Sequence, residues 1–366
     1  MTKNTTPQLL YYIPAIILLI AYLTCLGLQI SLAQGWLLML TFMSLALAFR
    51  IQPKLKGFAF PLIIFGAVSF AMYYPQYFVS VGNFKLSKLI IPLLQVIMFG
   101  MGSELSLKEL SAIFKSPKKV LVGVVCHYTV MPLIGFTLVS IFNFPKEIAA
   151  GIILVGCCPS GLASNVMSFL ARANLALSIA VTTISTLLAP VFTPLLMRLL
   201  AGRLVPVDFS KMAWDTANVV IFPILAGLLF HMLLRGKVKW LDRIMPSISM
   251  IGIALIIVVI TAAGRDSLLK VGLLLILAVF IHNTLGFTLG YWFSRLMRFP
   301  EADCRTISLE VGMQNSGLAS GLALLMGGMA TIGLAPAVFG PLMNITGSTL
   351  STWWHGRVPV DEYANE

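Results

Sequence analysis

The sequence predicts an all-α polytopic membrane protein with two inverted five-helix repeats, crossing discontinuous helices and an extra N-terminal helical hairpin. Three observations predict it: the composition, a series of apolar segments separated by basic loops, and a pentapeptide that recurs in two of those segments. Hydrophobic residues make up 58% of the 366 residues and charged residues only 10%, whereas soluble domains carry roughly 25% charged residues. Basic loops at a membrane surface explain the net charge of +12 better than nucleic-acid binding does.

Apolar segments of spanning length fill most of the chain. A membrane-spanning helix needs about 20 mostly apolar residues. That rule gives the segments 9–30, 35–49, 58–78, 88–102, 118–142, 147–171, 173–201, 213–234, 245–264, 269–297, 304–327 and 335–354. The first has no cleavage site after it, so it is expected to remain in the membrane. Because the connections are short, the chemistry is expected within the membrane part.

Basic residues alternate between the two sides of the predicted membrane. When the N-terminus is placed in the cytoplasm, the cytoplasmic loops are the more basic ones, as the positive-inside rule requires. Both termini are therefore expected on the cytoplasmic side of the plasma membrane, which in a bacterium is the inner membrane. The cytoplasmic set is Arg50, Lys54, Lys56, Lys108, Lys115, Lys118, Lys119, Arg235, Lys237, Lys239, Arg243, Arg295, Arg298 and Arg305.

The pentapeptide Ser-Gly-Leu-Ala-Ser occurs at 160–164 and again at 316–320, in the sixth and eleventh segments. Segments five apart cross the membrane in opposite directions, so segments 3–7 and 8–12 are predicted to be inverted repeats. Interrupted helices at corresponding positions of two inverted repeats indicate the binding site of a secondary transporter. The predicted units are an N-terminal hairpin at 1–57, repeats at 58–201 and 202–354, and a cytoplasmic tail at 355–366.

The residues of each interruption favour an unwound helix. Pro159 removes a backbone donor and disfavours helix at the residue before it, and Gly161 adds conformational freedom. The second interruption has no proline, so Gly312 and Gly317 are expected to permit the unwinding. Close packing of small residues between helices is the alternative reading of both stretches.

Glu310 is the acidic residue expected at membrane depth. A carboxylate there costs about 2.5–3.5 kcal/mol on insertion scales, and binding a cation is one way to offset that cost. A structural Glu that is salt-bridged or hydrogen-bonded to hold a packed bundle is the alternative. The seventh segment carries a polar stripe of hydroxyl side chains, Ser178, Thr182, Thr183, Ser185 and Thr186. Ser178 and Thr182 share one helix face and offer oxygens for a cation, although most Ser and Thr in such helices bond back to the preceding turn.

Several other residue types point away from catalysis. No H-E-x-x-H, G-x-S-x-G or P-loop motif occurs, so an enzyme is not expected and active transport would use an ion gradient. No organic cofactor, nucleic acid or obligatory protein partner is expected.

His127 is read either as a cation or proton ligand or as a structural group. The cysteines are read as buried apolar residues: Cys25, Cys126, Cys157, Cys158 and Cys304.

At these residues the chain resembles the bile acid:sodium symporter family, including its bacterial members. The resemblance covers 58–354 and lies in the runs 98–102, 156–159, 164–165, 176–178, 185–188 and 310–317. It implies ten helices in two inverted repeats, arranged as a panel domain and a core domain. Those ten would be segments 3–12, with broken helices that cross in the core at segments 6 and 11.

The resemblance also implies two sites for Na⁺, the co-transported ion, behind the crossing. The first would be formed by Ser164, Asn165, Ser178, Thr182 and Glu310. The second would use Glu310 again, the carbonyls of Val311 and Met313, the side chain of Gln314, and His127. His127 stands where the family has a glutamine, and imidazole nitrogen is a poorer Na⁺ ligand than an amide oxygen.

The substrate implied by the resemblance is an organic anion, either bile acid-like or a small carboxylate such as pantoate. Its carboxylate would lie near the N-termini of the second half-helices, at Gly161, Leu162, Ala163, Asn315, Ser316 and Gly317, with Asn344 nearby. Leu162 stands where bacterial relatives often have Thr, which removes a hydroxyl beside the anion.

Two alternative functions stay open. One is a proton-coupled transporter that uses Glu310 and His127 as proton carriers, and the other is a membrane receptor that binds without transporting. The Asn, Ser and Thr residues around one carboxylate favour Na⁺, because a proton needs no cage of oxygens. The lack of a soluble output domain counts against the receptor.

Overall fold

The computed structural model describes residues 8–52, 55–104, 116–234 and 239–359, which are almost entirely helical. The α-helices in chain order are α1 (Ile13–Gly27), α2 (Ser31–Ile51), α3 (Ala59–Tyr73), α4 (Gln76–Val79), α5 (Ile90–Glu104), α6 (Pro117–Ile141), α7 (Lys146–Cys157), α8 (Ala163–Leu170), α9 (Leu175–Ala201), α10 (Phe209–Thr216), α11 (Phe222–Leu234), α12 (Lys239–Ala263), α13 (Arg265–Leu296), α14 (Glu301–Gly312), α15 (Ser316–Leu325) and α16 (Leu334–His355).

Short elements connect some of these helices. Three 3-10 turns lie at Gln8–Tyr12, Lys56–Phe58 and Leu86–Leu89, and a π-helical turn, Ala217–Ile221, joins α10 to α11. Strands β1 (Ser80–Val81) and β2 (Phe84–Lys85) form a small antiparallel hairpin after α4.

Each predicted membrane segment coincides with one helix or with helices that follow each other directly. Seven helices in the described part are long and apolar enough to cross a membrane, and shorter apolar helices lie at Ala59–Tyr73, Ser247–Ala263 and Ser316–Leu325. The all-α membrane class is therefore confirmed. The second predicted segment is too short, because α2 also includes the polar residues Ser31, Gln34 and Arg50 at its ends. Lys54, Lys108, Lys115, Arg235, Lys237 and residues 360–366 of the predicted tail lie outside the described residues.

The helices pack into two groups. The first helix group contains α3, α5, α10, α11 and α12, in which α5 packs against α11 and α12, and α3 packs against α12. The second helix group contains α6–α9 and α13–α16, in which α6 packs against α7, α9 and α13, and α13 packs against α14 and α16. Both interrupted segments belong to the second group.

The N-terminal hairpin of α1 and α2 extends the first helix group, because α2 packs along α3. Gly66 of α3 allows the two helices to approach: a Cβ there would lie 3.2 Å from the carbonyl oxygen of Met39. Trp36 meets the ring of Phe70 edge-on, with 4.5 Å between the ring centroids. The aliphatic residues of α1 are largely exposed, as expected for a helix that faces lipid: Ile17 is 60% exposed.

Glycines bring the helices around the interruptions into close contact with α6. A Cβ at Gly156 of α7 would lie 2.6 Å from the carbonyl oxygen of Met131, and one at Gly286 of α13 would lie 2.5 Å from the sulfur of the same residue. Side chains at either position would push α7 or α13 away from α6. In the second helix group, the backbones of α7 and α13 therefore pack directly against α6 at these glycines.

Candidate functional site

The two interruptions cross each other and are joined by backbone hydrogen bonds. In the sixth segment α7 ends at Cys157 and α8 begins at Ala163; in the eleventh, α14 ends at Gly312 and α15 begins at Ser316. Across the crossing, the Gly161 amide donates to the Met313 carbonyl at 3.0 Å, and the Asn315 amide donates to the Pro159 carbonyl at 2.8 Å. These bonds satisfy backbone groups that the unwound helices release.

Different residues produce the two interruptions. Cys158 is extended, with φ −76° and ψ 158°, as expected for a residue before proline. In the second interruption the Asn315 side chain caps α15 by accepting a hydrogen bond from the Leu318 amide at 2.9 Å. Gly312 and Gly317, which were expected to permit the unwinding, flank this interruption as the last residue of α14 and the second residue of α15. Gly161 is needed for close approach: a Cβ there would lie 2.7 Å from the Gln314 carbonyl oxygen.

Behind the crossing, the five residues predicted for the first cation site lie together around the Glu310 carboxylate. Ser164 of α8 donates to Oε1 at 2.6 Å, Ser178 of α9 donates to Oε1 at 2.5 Å, and Thr182 of α9 donates to Oε2 at 2.8 Å. The amide oxygen of Asn165 lies 2.8 Å from the Ser178 hydroxyl and 3.3 Å from the Thr182 hydroxyl. Each hydroxyl has a single hydrogen, so Asn165 is the alternative acceptor to Glu310. Glu310 is fully buried.

The chemistry of this cluster suits a hard cation. All of its polar ligand atoms are oxygens, which Na⁺ and similar ions prefer to nitrogen or sulfur. Hydroxyl groups can turn their lone pairs toward an ion and keep their contact with the carboxylate region. Among the described residues, no Lys or Arg forms an ion pair with Glu310, so the salt-bridged form of the structural alternative finds no support there. Its hydrogen-bonded form predicts the same three hydroxyl contacts that the structure shows.

The hydroxyls of the polar stripe in α9 make two different kinds of contact. The hydroxyls of Ser178 and Thr182 point to Glu310, and their side chains are buried. The hydroxyls of Ser185 and Thr186 instead bond back to the Thr182 carbonyl, at 3.0 and 2.7 Å. Back-bonding, the alternative reading of the stripe, therefore applies to its second half only.

The residues predicted for the second cation site also lie together, as a hydrogen-bonded set. Nδ1 of His127 lies 2.9 Å from the Glu310 carbonyl oxygen, and Nε2 lies 2.9 Å from the Cys158 carbonyl oxygen. A neutral imidazole carries one N–H, so it donates to one carbonyl and turns a lone pair toward the other. The Gln314 side chain donates to the Val311 carbonyl at 2.8 Å.

Two further atoms of this set differ in their contacts. The Met313 carbonyl accepts hydrogen bonds from the Gly161 amide and from the Ser160 hydroxyl, at 3.0 and 3.2 Å. Oε1 of Gln314 is buried and has no partner among the described residues. The predicted second site thus offers one acceptor with no partner and several that are already engaged.

The residues predicted to bind the substrate lie on both sides of the crossing. Leu162 and Ala163 are half-buried, whereas Gly161 and Ser316 are buried. Asn344 lies one helix away in α16 and donates to the Gly340 carbonyl of its own helix at 2.7 Å. Gly340 in turn lies against the start of α15, because a Cβ there would lie 2.8 Å from the Ser316 hydroxyl. This turn of α16 therefore links Asn344 to the start of α15.

Asn283 of α13 is a further site residue, to which the sequence pattern gave little weight. Its side-chain amide donates to the Gly312 carbonyl at 2.8 Å, and Thr346 of α16 donates to its side-chain oxygen. Gly312 is the last residue of α14, and Cys158, which His127 contacts, directly follows α7. Each interrupted helix therefore has a buried polar residue, His127 or Asn283, that contacts a carbonyl at its C-terminal end. The only sequence signal for these two residues was a polar residue inside an apolar segment.

The second half-helices differ in what they pack against. α15 packs against α5, α10 and α12 of the first helix group, whereas α8 packs against α9, α14 and α16 of the second group. Val166 and Phe169 of α8 are 58% and 68% exposed, while Leu322 of α15 is 1% exposed. α15 thus packs against both helix groups, whereas α8 packs mainly within the second.

Comparisons with known proteins agree with this architecture. Residues 91–271 match the model of the sodium bile acid symporter family. An uncharacterized sodium-dependent transporter of Bacillus subtilis, YocS, is 41% identical over 304 residues, which cover 83% of this chain and 92% of that protein. The chain belongs to the sodium bile acid symporter family.

Plant relatives extend the comparison. A probable sodium/metabolite cotransporter of Arabidopsis thaliana chloroplasts, BASS1, is 37% identical over 266 residues, covering 73% of this chain and 66% of that protein. BASS1 of rice is 35% identical over 314 residues, covering 84% of this chain and 75% of that protein. As a member of this family, the chain is a multi-pass membrane protein of a sodium-coupled transporter family and not an enzyme.

Proposed function

We propose that the chain is a symporter that moves an organic anion together with Na⁺ by alternating access. The observation that carries the proposal is the buried Glu310 carboxylate, which faces the hydroxyls of Ser164, Ser178 and Thr182 behind the crossing. A buried carboxylate without a basic partner is costly unless a cation or a proton joins it. The sodium-dependent relatives indicate which cation that is.

Two ion sites follow from this proposal. Site 1 is formed by Ser164, Asn165, Ser178, Thr182 and Glu310. Site 2 is formed by Glu310, His127, Val311, Met313 and Gln314. Gln314 Oε1, the buried atom without a partner among the described residues, is the ligand that site 2 has available, whereas a neutral imidazole has at most one lone pair for an ion. Site 1 is therefore proposed as the stronger of the two.

The organic anion is proposed to bind on the other side of the crossing, at the N-termini of α8 and α15. Amide groups of the first turn of a helix point outward and attract negative charge. The lining residues are Gly161, Leu162, Ala163, Asn315, Ser316 and Gly317, with Asn344 behind them. A bile acid-like molecule and a small carboxylate such as pantoate both carry the group that this arrangement recognises.

Inverted repeats are supported by the way the helices pair. The contact of α3 with α12 has a counterpart in α11 with α5, that of α6 with α7 in α13 with α14, and that of α7 with α16 in α14 with α9. In each pair of contacts, every helix is replaced by the helix at the corresponding position of the other repeat, where the repeats are 58–201 and 202–354. We propose that the first helix group, extended by α1 and α2, is the panel and that the second is the core.

The unequal packing of α8 and α15 indicates which conformation is present. In inverted repeats the two second half-helices are equivalent, and alternating access exchanges their environments. Because α15 packs against the panel and α8 packs mainly within the core, the cleft is proposed to be open at the α8 end. In the proposed topology, with both termini in the cytoplasm, that end is the cytoplasmic one.

Uptake into proteoliposomes tests the proposal. Radiolabelled taurocholate and pantoate are offered with and without an inward Na⁺ gradient, to the wild type, Glu310→Gln and Glu147→Gln. Glu147 is an exposed carboxylate at the start of α7 and serves as the matched control. We expect Na⁺-dependent uptake that Glu310→Gln abolishes and Glu147→Gln retains, because only the first removes a ligand charge from the site.

A second measurement separates ion coupling from substrate choice. Na⁺, compared with K⁺, should raise the thermal stability of the purified wild type but not of Glu310→Gln, because a ligand that binds only the folded state stabilises it. Uptake that follows a pH gradient and ignores Na⁺ would assign the coupling to protons. Stabilisation by Na⁺ without uptake of either compound would reject these two substrates and leave the ion site in place.

A further inference from the structure

We infer that an anionic phospholipid binds in an aromatic cavity between α13, α14 and α16, away from the crossing. The cavity has a volume of about 530 Å³, and its walls include Phe287, Tyr291, Trp292, Arg305, Trp353 and Arg357. It lies at the basic end of the molecule, which we define by Lys119, Arg172, Arg298, Arg305 and Arg357. Its residues take no part in the proposed ion or substrate sites.

One end of the cavity carries a positive charge that no carboxylate of the described residues pairs with. Arg305 donates from Nε to Glu301 at 2.8 Å, and the Tyr291 hydroxyl donates to the other oxygen of Glu301 at 2.7 Å. The Glu301 charge is therefore matched by Arg305. Arg357 lies 4.0 Å above the centroid of the Trp353 ring, and no carboxylate among the described residues pairs with it. An anion in the cavity would face this guanidinium.

Arg305 is held rigidly at the cavity wall. It is 3% exposed, and its Nη1 contacts the carbonyl oxygens of Ala171, Trp354 and Arg357, at 3.1, 3.3 and 2.9 Å. Because one of these oxygens belongs to Arg357 itself, the buried arginine also fixes the backbone that presents the exposed one. The positive end of the cavity is thus preformed, which lowers the cost of binding.

The rest of the cavity wall is mainly apolar and aromatic. Phe287 and Leu350 line it together with Thr288 and Ser308, and Trp292 and Trp353 are 57% and 50% exposed. Tryptophan is typical of the membrane–water interface, and basic pockets between helices on the cytoplasmic side bind anionic headgroups. A phospholipid matches both the charge and the apolar wall of the cavity, because its phosphate would face Arg357 and its acyl chains would follow the apolar wall.

The cavity also touches the helix that carries Glu310. Ser308 and Arg305 line it, and both lie in α14 within five residues of Glu310. A lipid bound there would contact a core helix two residues from the ion site. We therefore expect this lipid to stabilise the core and not to compete with the substrate.

Native mass spectrometry of the purified, delipidated full-length chain tests the inference, with phosphatidylglycerol and phosphatidylcholine as probes. Phosphatidylglycerol should bind more tightly. Arg357→Gln should weaken its binding about fivefold, the effect of one basic side chain beside an anionic headgroup. Arg298→Gln, an exposed arginine at the same end that does not line the cavity, should bind as the wild type does.

Three outcomes would overturn the inference. They are equal binding of the two lipids, an equal loss in Arg298→Gln, and displacement of phosphatidylglycerol by millimolar inorganic phosphate, which would indicate a site for free anions only. Trp353→Leu provides a second variant: it keeps both arginines and should also weaken phosphatidylglycerol, because it removes the aromatic surface under Arg357. No transport is measured, so these results do not depend on the proposed symport.

Discussion

The two copies of Ser-Gly-Leu-Ala-Ser have the same residues and different structures. In the first copy, 160–162 lie in the interruption and only Ala163 and Ser164 are helical, whereas all five residues of the second copy, 316–320, lie in α15. Ser160 pairs across the crossing with Gln314 and not with Ser316. The copies are therefore two residues out of register, although each correctly marks an interrupted helix.

The flanking residues cause the difference. Pro159 precedes the first copy and keeps the chain extended, so the next helix starts at Ala163 without a side-chain cap. Asn315 precedes the second copy and caps α15, so that helix starts at once. An identical pentapeptide thus starts a helix or delays it according to the single residue before it.

The shift also separates the roles of corresponding serines. Ser164, the last residue of the first copy, donates to Glu310 at 2.6 Å. Ser320, the last residue of the second copy, is 1% exposed, and its hydroxyl has no partner among the described residues. The first copy supplies a residue of the proposed ion site 1, and the second supplies packing.

The largest effect should come from substituting these two serines in the same way. Ser164→Ala should weaken Na⁺ binding about tenfold or more, because a hydrogen bond to a charged group contributes about 1.5–3 kcal/mol. Ser320→Ala should leave it within about twofold, since the lost hydroxyl has no partner. Na⁺-dependent thermal stabilisation measures both. Equal losses in the two variants would mean that the copies share a role despite their different environments.

A smaller effect, on the stability of the folded protein, should distinguish Gly161 from Gly317. A Cβ at Gly161 would lie 2.7 Å from the Gln314 carbonyl oxygen, while one at Gly317 would lie 3.4 Å from the Leu94 side chain. Gly161→Ala should destabilise the protein by about 1–3 kcal/mol, because backbone must move. Gly317→Ala should be neutral or stabilising, since it lies inside a helix. Thermal unfolding in detergent checks both, and a stable Gly161→Ala would show that the crossing can open locally.

Much of the fold was predictable from the sequence, because apolar length and basic loops act over whole segments. The five residues of ion site 1 were predicted from the family resemblance, and the structure places them together around Glu310. The register of the interruptions was not predictable, since it depends on which backbone groups of Pro159 and Asn315 meet across the crossing. Asn283 was underestimated for the same reason: its partner, Gly312, is distant in sequence and offers only a carbonyl.

The smallest expected effect concerns the cap that sets the register. Asn315→Ala removes the acceptor for the Leu318 amide and should cost about 1 kcal/mol, which lowers the unfolding midpoint on the order of 2 °C. Asn315→Ser keeps a capping oxygen and should retain most of that stability. Because Asn315 is also a proposed substrate residue, the two variants separate its roles.

If Asn315 recognises the anion through its side-chain amide, both variants should raise the KM for uptake, although only Asn315→Ala loses stability. If it acts as a cap alone, Asn315→Ser should match the wild type in both measurements. The equivalent position before α8 is Leu162, which has no side-chain cap to lose. An unfolding midpoint of Asn315→Ser as low as that of Asn315→Ala would contradict the view that the capping side chain of Asn315 sets the start of α15.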